Sequence, residues 1–196
     1  MYVPPEAKLE KVCIKDDARY ALANPFYDAE AKCIVATNGH ALAIVPVEIH
    51  DSEQVSDGYI PVDALKESRR QKVLKGNLIV DDKTVKIVDG PTYDRPEGGQ
   101  FPTWRKVYPS GSPVFALTIN PQLLLNLAHA MGAGRKGAEF VTLFFSEDAT
   151  GGPSNTTGIA VMGPNGAYGT IMPVWGDKAK EYRRPPFLAT EREQAE

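Results

Sequence analysis

Residues 32–47 read Lys-Cys-Ile-Val-Ala-Thr-Asn-Gly-His-Ala-Leu-Ala-Ile-Val-Pro-Val. Two apolar runs of strand length, 32–37 and 40–47, flank Asn38-Gly39. Asn-Gly between apolar runs is a strong hairpin signal, because both residues tolerate positive φ. The stretch therefore predicts an antiparallel hairpin, with Pro46 placing the end of its second strand at an edge or bulge. The pattern recurs along the chain. Residues 77–80 and 84–88 flank Asp81-Asp82-Lys83, and 140–146, 159–163 and 167–174 read as three more strands, the last two joined by a tight turn at Asn165-Gly166. Weaker strand signals cover 8–14 and 20–27 (broken by Asn24-Pro25), and 114–119 reads as a strand.

Two segments lack this alternation. Residues 61–72 are built of helix formers, and Pro61 suits a first helical turn, where its missing N–H is no loss. Asn120-Pro121 reads as a helix cap and first residue. Leu124, Leu127, Ala128 and Met131 then repeat at helical spacing, and Gly132 is a natural stop. Residues 97–109 form a Pro-rich connector, whose Phe101, Trp104 and Tyr108 are expected to anchor it to the core. The expected class is α+β: two strand–helix–strand–strand units with antiparallel sheet and two helices on one face. A single domain is expected over 1–176, made of a strand-rich part (8–57), a first helix unit with connector (58–109) and a second helix unit (110–176). A charged tail, 177–196, follows.

The chain has 196 residues, 42% hydrophobic and 24% charged, with net charge -3, values of an ordinary globular protein and not of one that binds nucleic acid through its overall field. Cys13 and Cys33 lack the spacing of a zinc or disulfide framework. Residues 1–11 carry two prolines and no apolar run, so no signal peptide is read and a cytoplasmic protein, without membrane partners, is expected. His50 and His129 have no acidic or cysteine partner at metal spacing, and residues 132–137 lack the Gly-Lys-Ser/Thr ending of a phosphate loop. No metal, cofactor or nucleophile–base–acid set is expected, hence no enzyme. The enzymatic alternative would set His40 beside an acid such as Asp28.

Three stretches resemble the bacterial DNA sliding clamp, the processivity subunit of the replicative polymerase. They are Val35-Ala-Thr-Asn-Gly-His-Ala-Leu-Ala, Phe101-Pro-Thr-Trp-Arg-Lys-Val-Tyr-Pro and Ala167-Tyr-Gly-Thr-Ile-Met-Pro-Val. They are similar, in order and spacing, to that family's VATDGHRLA, FPDYRRVLP and AYVVMPM. The resemblance implies a clamp-like fold and a pocket for short motifs of DNA polymerase or repair proteins. The pocket residues it implies are Thr37, Gly39, His40 and Leu42, then Pro102, Arg105, Lys106 and Val107, then Ile171, Met172, Pro173 and Val174. Leucine and aromatic anchors on a partner want such a greasy lining, with His40 and Arg105 as polar rim. A family protomer has three clamp domains and this chain has material for about one, so encircling double-stranded DNA would take a homo-oligomer of about six copies.

Two of these assignments have plainer alternatives. His40 also reads as a polar turn residue after Asn-Gly. Lys66, Arg69, Arg70 and Lys72 would face DNA phosphates as the family's inner helices do, or they form a solvated helix face.

Overall fold

The computed structural model describes residues 1–14, 22–50, 55–108, 118–134, 138–146 and 158–173. The chain forms two compact units, one built on Met1–Ser110 and one spanning Gly111–Arg184. Val174, the tail and most of 114–119 lie outside the described residues.

The first unit opens with β1 (Phe26–Asp28), β2 (Cys33–Thr37), β3 (Leu42–Pro46) and β4 (Gly58–Tyr59), paired antiparallel in the order β3-β2-β1-β4. Helix α1 (Val62–Arg70) follows, then a meander of β5 (Leu78–Val80), β6 (Thr84–Ile87) and β7 (Thr92–Asp94). The apolar stripe of α1 is short. Ala64 and Leu65 are buried with Leu78, Val85 and Ile87 of the meander and with Ile34 and Ala36 of β2, which makes one core. The second unit repeats the plan. Helix α2 (Pro121–Ala130) precedes β8 (Thr142–Phe144), β9 (Ile159–Met162) and β10 (Tyr168–Ile171), again a sequential antiparallel meander. Leu124, Leu127 and Met131 pack on Ile159, Val161 and Ile171, the face the helical spacing predicts. Asn120 caps α2 by accepting from the N–H groups of Gln122 (2.9 Å) and Leu123 (3.4 Å). Gly132 ends it at φ +82°.

The α+β class is as expected, with the antiparallel pairing spread over three sheets and each helix followed by its own meander. Local details differ. Thr37 pairs with Leu42, so the first hairpin turns through four residues, 38–41, and His40 sits in the loop instead of the strand. The reason is side-chain chemistry. Asn38 Oδ1 accepts from the N–H groups of His40 (2.9 Å) and Ala41 (2.8 Å), Thr37 Oγ1 donates to Ala41 O (2.7 Å), and Gly39 alone takes positive φ. The turn at 165–166 is also longer than read: Met162 pairs with Tyr168 across a short 3-10 turn, Pro164–Gly166. No strand forms over 8–14. Only Leu9 of that run is buried, and Leu9–Lys11 closes as a 3-10 turn. Residues 24–25 precede β1 instead of interrupting a strand, and Asn24 Oδ1 accepts from Val62 N–H at the start of α1. Pro61 is the capping residue of α1, one position earlier than its first turn.

Arg95, buried, ties the two sheets of the first unit together. Its Nε donates to Tyr59 O (3.1 Å) and its two terminal nitrogens to Asp81 O (2.9 Å) and Ser56 O (3.2 Å). Burial pulls its pKa down, and Asp82, Asp81 and Asp57 pull it back up. The guanidinium occupies the space where a Cβ on Gly58 would stand, and Gly58 has φ +153°. Gly58→Ala should therefore displace Arg95 and cost about 2 kcal/mol. A urea midpoint equal to that of the wild type would show that Arg95 is no latch.

Candidate functional site

Two of the three quoted stretches meet in the first unit. Leu42 and Ile44 of β3 pack into one cluster with Cys33, Val35, Tyr59, Phe101 and Trp104. Phe26 stacks on Phe101 at 5.0 Å between ring centres, and Tyr59 lies edge-on to Phe26 at 5.4 Å. The connector aromatics Phe101 and Trp104 are thus anchors, as expected. Trp104–Lys106 forms a single 3-10 turn.

A buried carboxylate fixes that turn. Asp28, at the end of β1, accepts from Ala31 N–H (2.9 Å), Trp104 Nε1 (3.1 Å) and both terminal nitrogens of Arg105 (2.7 and 3.0 Å). Arg105 also reaches Glu30 (3.0 Å) and lies 4.7 Å over the Trp104 ring. Burial pushes the Asp28 carboxyl up, but hydrogen bonds from Ala31, Arg105 and Trp104 together outweigh it and hold the group below its ordinary value. Arg105, expected at a pocket rim, is half-buried with both terminal nitrogens engaged. Asp28 is the residue that sequence reasoning gave no structural part. Its only signal was an acid closing an apolar run.

Around this anchor the expected pocket residues fall into two groups. Pro102, Lys106 and Val107 are exposed, Val107 by 71%. Gly39 and His40 are exposed at the hairpin tip, while Thr37 and Leu42 are half-buried. His40 and Asp28 do not pair. Asp28 sits opposite Cys33, and His40 lies beyond Thr37, four strand residues and about 13 Å further along. A cleft of about 990 Å³ borders the same turn. Phe26, Tyr59, Phe101 and Trp104 line it together with Pro102 and Arg105, and charged residues of both signs, Asp57, Asp82 and Asp94 with Lys83 and Arg95, line it too. The third stretch lies on the second unit. There Ile171 is a core residue, 4% exposed, Met172 is 55% exposed and Pro173 is buried.

The expected DNA-facing cations are mostly paired. Arg69 turns inward to Glu10 (2.6 Å) and Ala7 O (3.2 Å), Lys66 meets Asp63 (3.0 Å), and Arg70 meets Glu67 (3.3 Å). Lys72 is exposed. Burial raises the Cys33 thiol to about 11, and burial with the nearby Glu10 does the same for Cys13, so both are neutral near pH 7. No group of three or more metal-ligating side chains occurs among the described residues, and no described helix is long and apolar enough to cross a membrane.

No known family and no curated protein matches the chain by sequence. Solved structures do match by shape. The DNA polymerase III subunit beta from Pseudomonas aeruginosa superposes with a TM-score of 0.59 at 15% identity, over 86% of this chain and 48% of that one. The DNA polymerase sliding clamp from the same organism gives 0.61 at 16% identity (86% and 49% covered), and its structure with ligand gives 0.60 at 16% (86% and 49%). The chain has a sliding-clamp-like fold and spans about half the length of these structures.

Proposed function

We propose that this protein is a non-enzymatic, clamp-like docking module that holds short apolar motifs of DNA replication or repair proteins. The observation that carries the reading is the 101–107 segment. Asp28, Trp104 and Arg105 fix it rigidly, yet it presents Pro102, Lys106 and Val107 to solvent, with Val107 71% exposed. A large apolar side chain left exposed on an anchored segment costs little ordering entropy when a partner covers it. Thr37, Gly39, His40 and Leu42 of the first hairpin supply further contacts. Met172, 55% exposed, gives the second unit an apolar contact of its own for such motifs, whereas Ile171 belongs to that unit's core. Arg105 acts by holding the segment, with its rim role secondary.

A labelled peptide carrying a Gln-Leu-x-Leu-Phe motif should bind saturably at about micromolar strength, near −8 kcal/mol. A flat anisotropy titration would reject the proposal. Assembly on double-stranded DNA is the second reading, supported by the exposed Lys72 and by Lys66 and Arg70, whose surface pairs are weak enough for a phosphate to displace. It needs a closed homo-oligomer, so light scattering that finds only monomer or dimer would remove it.

A further inference from the structure

The loop that follows α1 breaks two local rules at once. Val73 and Leu74 are adjacent aliphatic residues, 76% and 53% exposed. Leu74 also sits at φ +56°, a conformation that glycine or asparagine adopts readily and leucine resists. The loop backbone is well tied. Asn77 donates to Leu74 O from its N–H (3.1 Å) and its Nδ2 (3.2 Å). Gly76 N–H donates to Ser68 O of α1 (3.1 Å), and Val3 N–H donates to Gly76 O (2.9 Å). Flanking the two aliphatics in sequence are the exposed Lys72 and Lys75 and, at the end of α1, Arg70, whose 74%-exposed side chain makes a surface pair with Glu67 at 3.3 Å that a partner's carboxylate can displace. A leucine that neither reaches a core nor relaxes its backbone marks a site where something other than folding is served.

We propose that residues 70–75 form a docking site for a protein segment that carries an apolar side chain flanked by carboxylates. The apolar side chain covers Val73 and Leu74, and the carboxylates meet Arg70, Lys72 and Lys75. The chain's net charge is -3, so this loop is a local reversal of sign that steers an acidic segment to one place. A DNA backbone would satisfy the three cations and leave both aliphatics against phosphates. A membrane would take both, but two aliphatics and three cations make a marginal anchor. The backbone ties pre-order the loop, which lowers the entropic cost of binding.

The test uses the full chain and fluorescein-labelled decapeptides, each with one Leu, Ile or Phe between pairs of Asp or Glu. At least one should bind saturably. Leu74→Asn should weaken it at least tenfold while the melting temperature stays level or rises, because asparagine tolerates the backbone angle. Lys72→Glu with Lys75→Glu, at exposed positions, should weaken it by as much. The proposal is overturned if no peptide saturates below about 1 mM. It is equally overturned if Leu74→Asn binds like the wild type or melts markedly lower. Duplex DNA or phosphatidylserine vesicles that bind the wild type and lose that binding in these variants would overturn it in favour of those ligands. None of these outcomes touches the pocket reading, which rests on other residues.

Discussion

Asp28→Ala should cost the first unit about 3 kcal/mol, read as a lower urea midpoint. Removing one partner of a buried ion pair leaves the other charge uncompensated, and here Trp104 Nε1 and Ala31 N–H lose their acceptor too. Arg105 is partly solvated, which keeps the figure at the low end of the range for such pairs. Glu30→Ala is the contrast: its carboxylate meets the same guanidinium from an exposed position, so the change should stay within about 0.5 kcal/mol. The pH dependence has a definite sign. Asp28 is depressed in the folded state, so its contribution is fully present above the ordinary carboxylate value of 3.8. It is lost as the pH falls through the lower folded value. Wild type and Asp28→Ala should therefore converge in stability below about pH 4. Parallel curves through that range would mean that the carboxylate is not what holds the turn. Peptide affinity should drop with Asp28→Ala as well, because Pro102 and Val107 ride on the segment it releases.

The second large effect is on binding alone. Met172→Asp should abolish the second unit's own binding of the Gln-Leu-x-Leu-Phe peptide, a loss of at least about 100-fold at that unit, by placing a carboxylate where an apolar anchor must sit. Stability should change by less than about 0.5 kcal/mol, since Met172 is 55% exposed. Ile171→Asp, one residue away, should instead unfold the second unit, because Ile171 pairs with Ile159 and packs under α2. Undiminished peptide binding by Met172→Asp would remove Met172 from the site. A collapse of its fold would place it in a core.

These two residues also show what the sequence made legible. The resemblance set Ile171 and Met172 together in one pocket, whereas the structure buries Ile171, the last residue of β10, and leaves Met172 exposed. Helical spacing identified Leu124, Leu127 and Met131 as the covering stripe, and the structure places them on the Ile171 side. Hairpins were readable from Asn-Gly and Asp-Asp punctuation. Their exact turns were not, because Asn38 and Thr37 spend their side chains on the loop backbone and lengthen it. Pairings across long stretches of chain left no local trace at all. Nothing near Asp28 announces Arg105, and nothing near Gly58 announces Arg95. For the same reason helical spacing, which sets Arg69 beside Lys66 and Arg70, could not show that Glu10, far away in sequence, turns Arg69 inward.

The arrangement of a helix followed by three consecutively paired strands, present once in each unit, bears on how the chain reaches its native state. Each such block pairs only consecutive strands, the longest reach being Thr142 to Met162, so modest loop entropy opposes it and it can form as soon as its own stretch is available. The Asp28–Arg105 link joins residues 77 positions apart and must wait for both ends. Late links of this kind leave the folding rate almost untouched and govern instead how long the folded molecule survives before it opens.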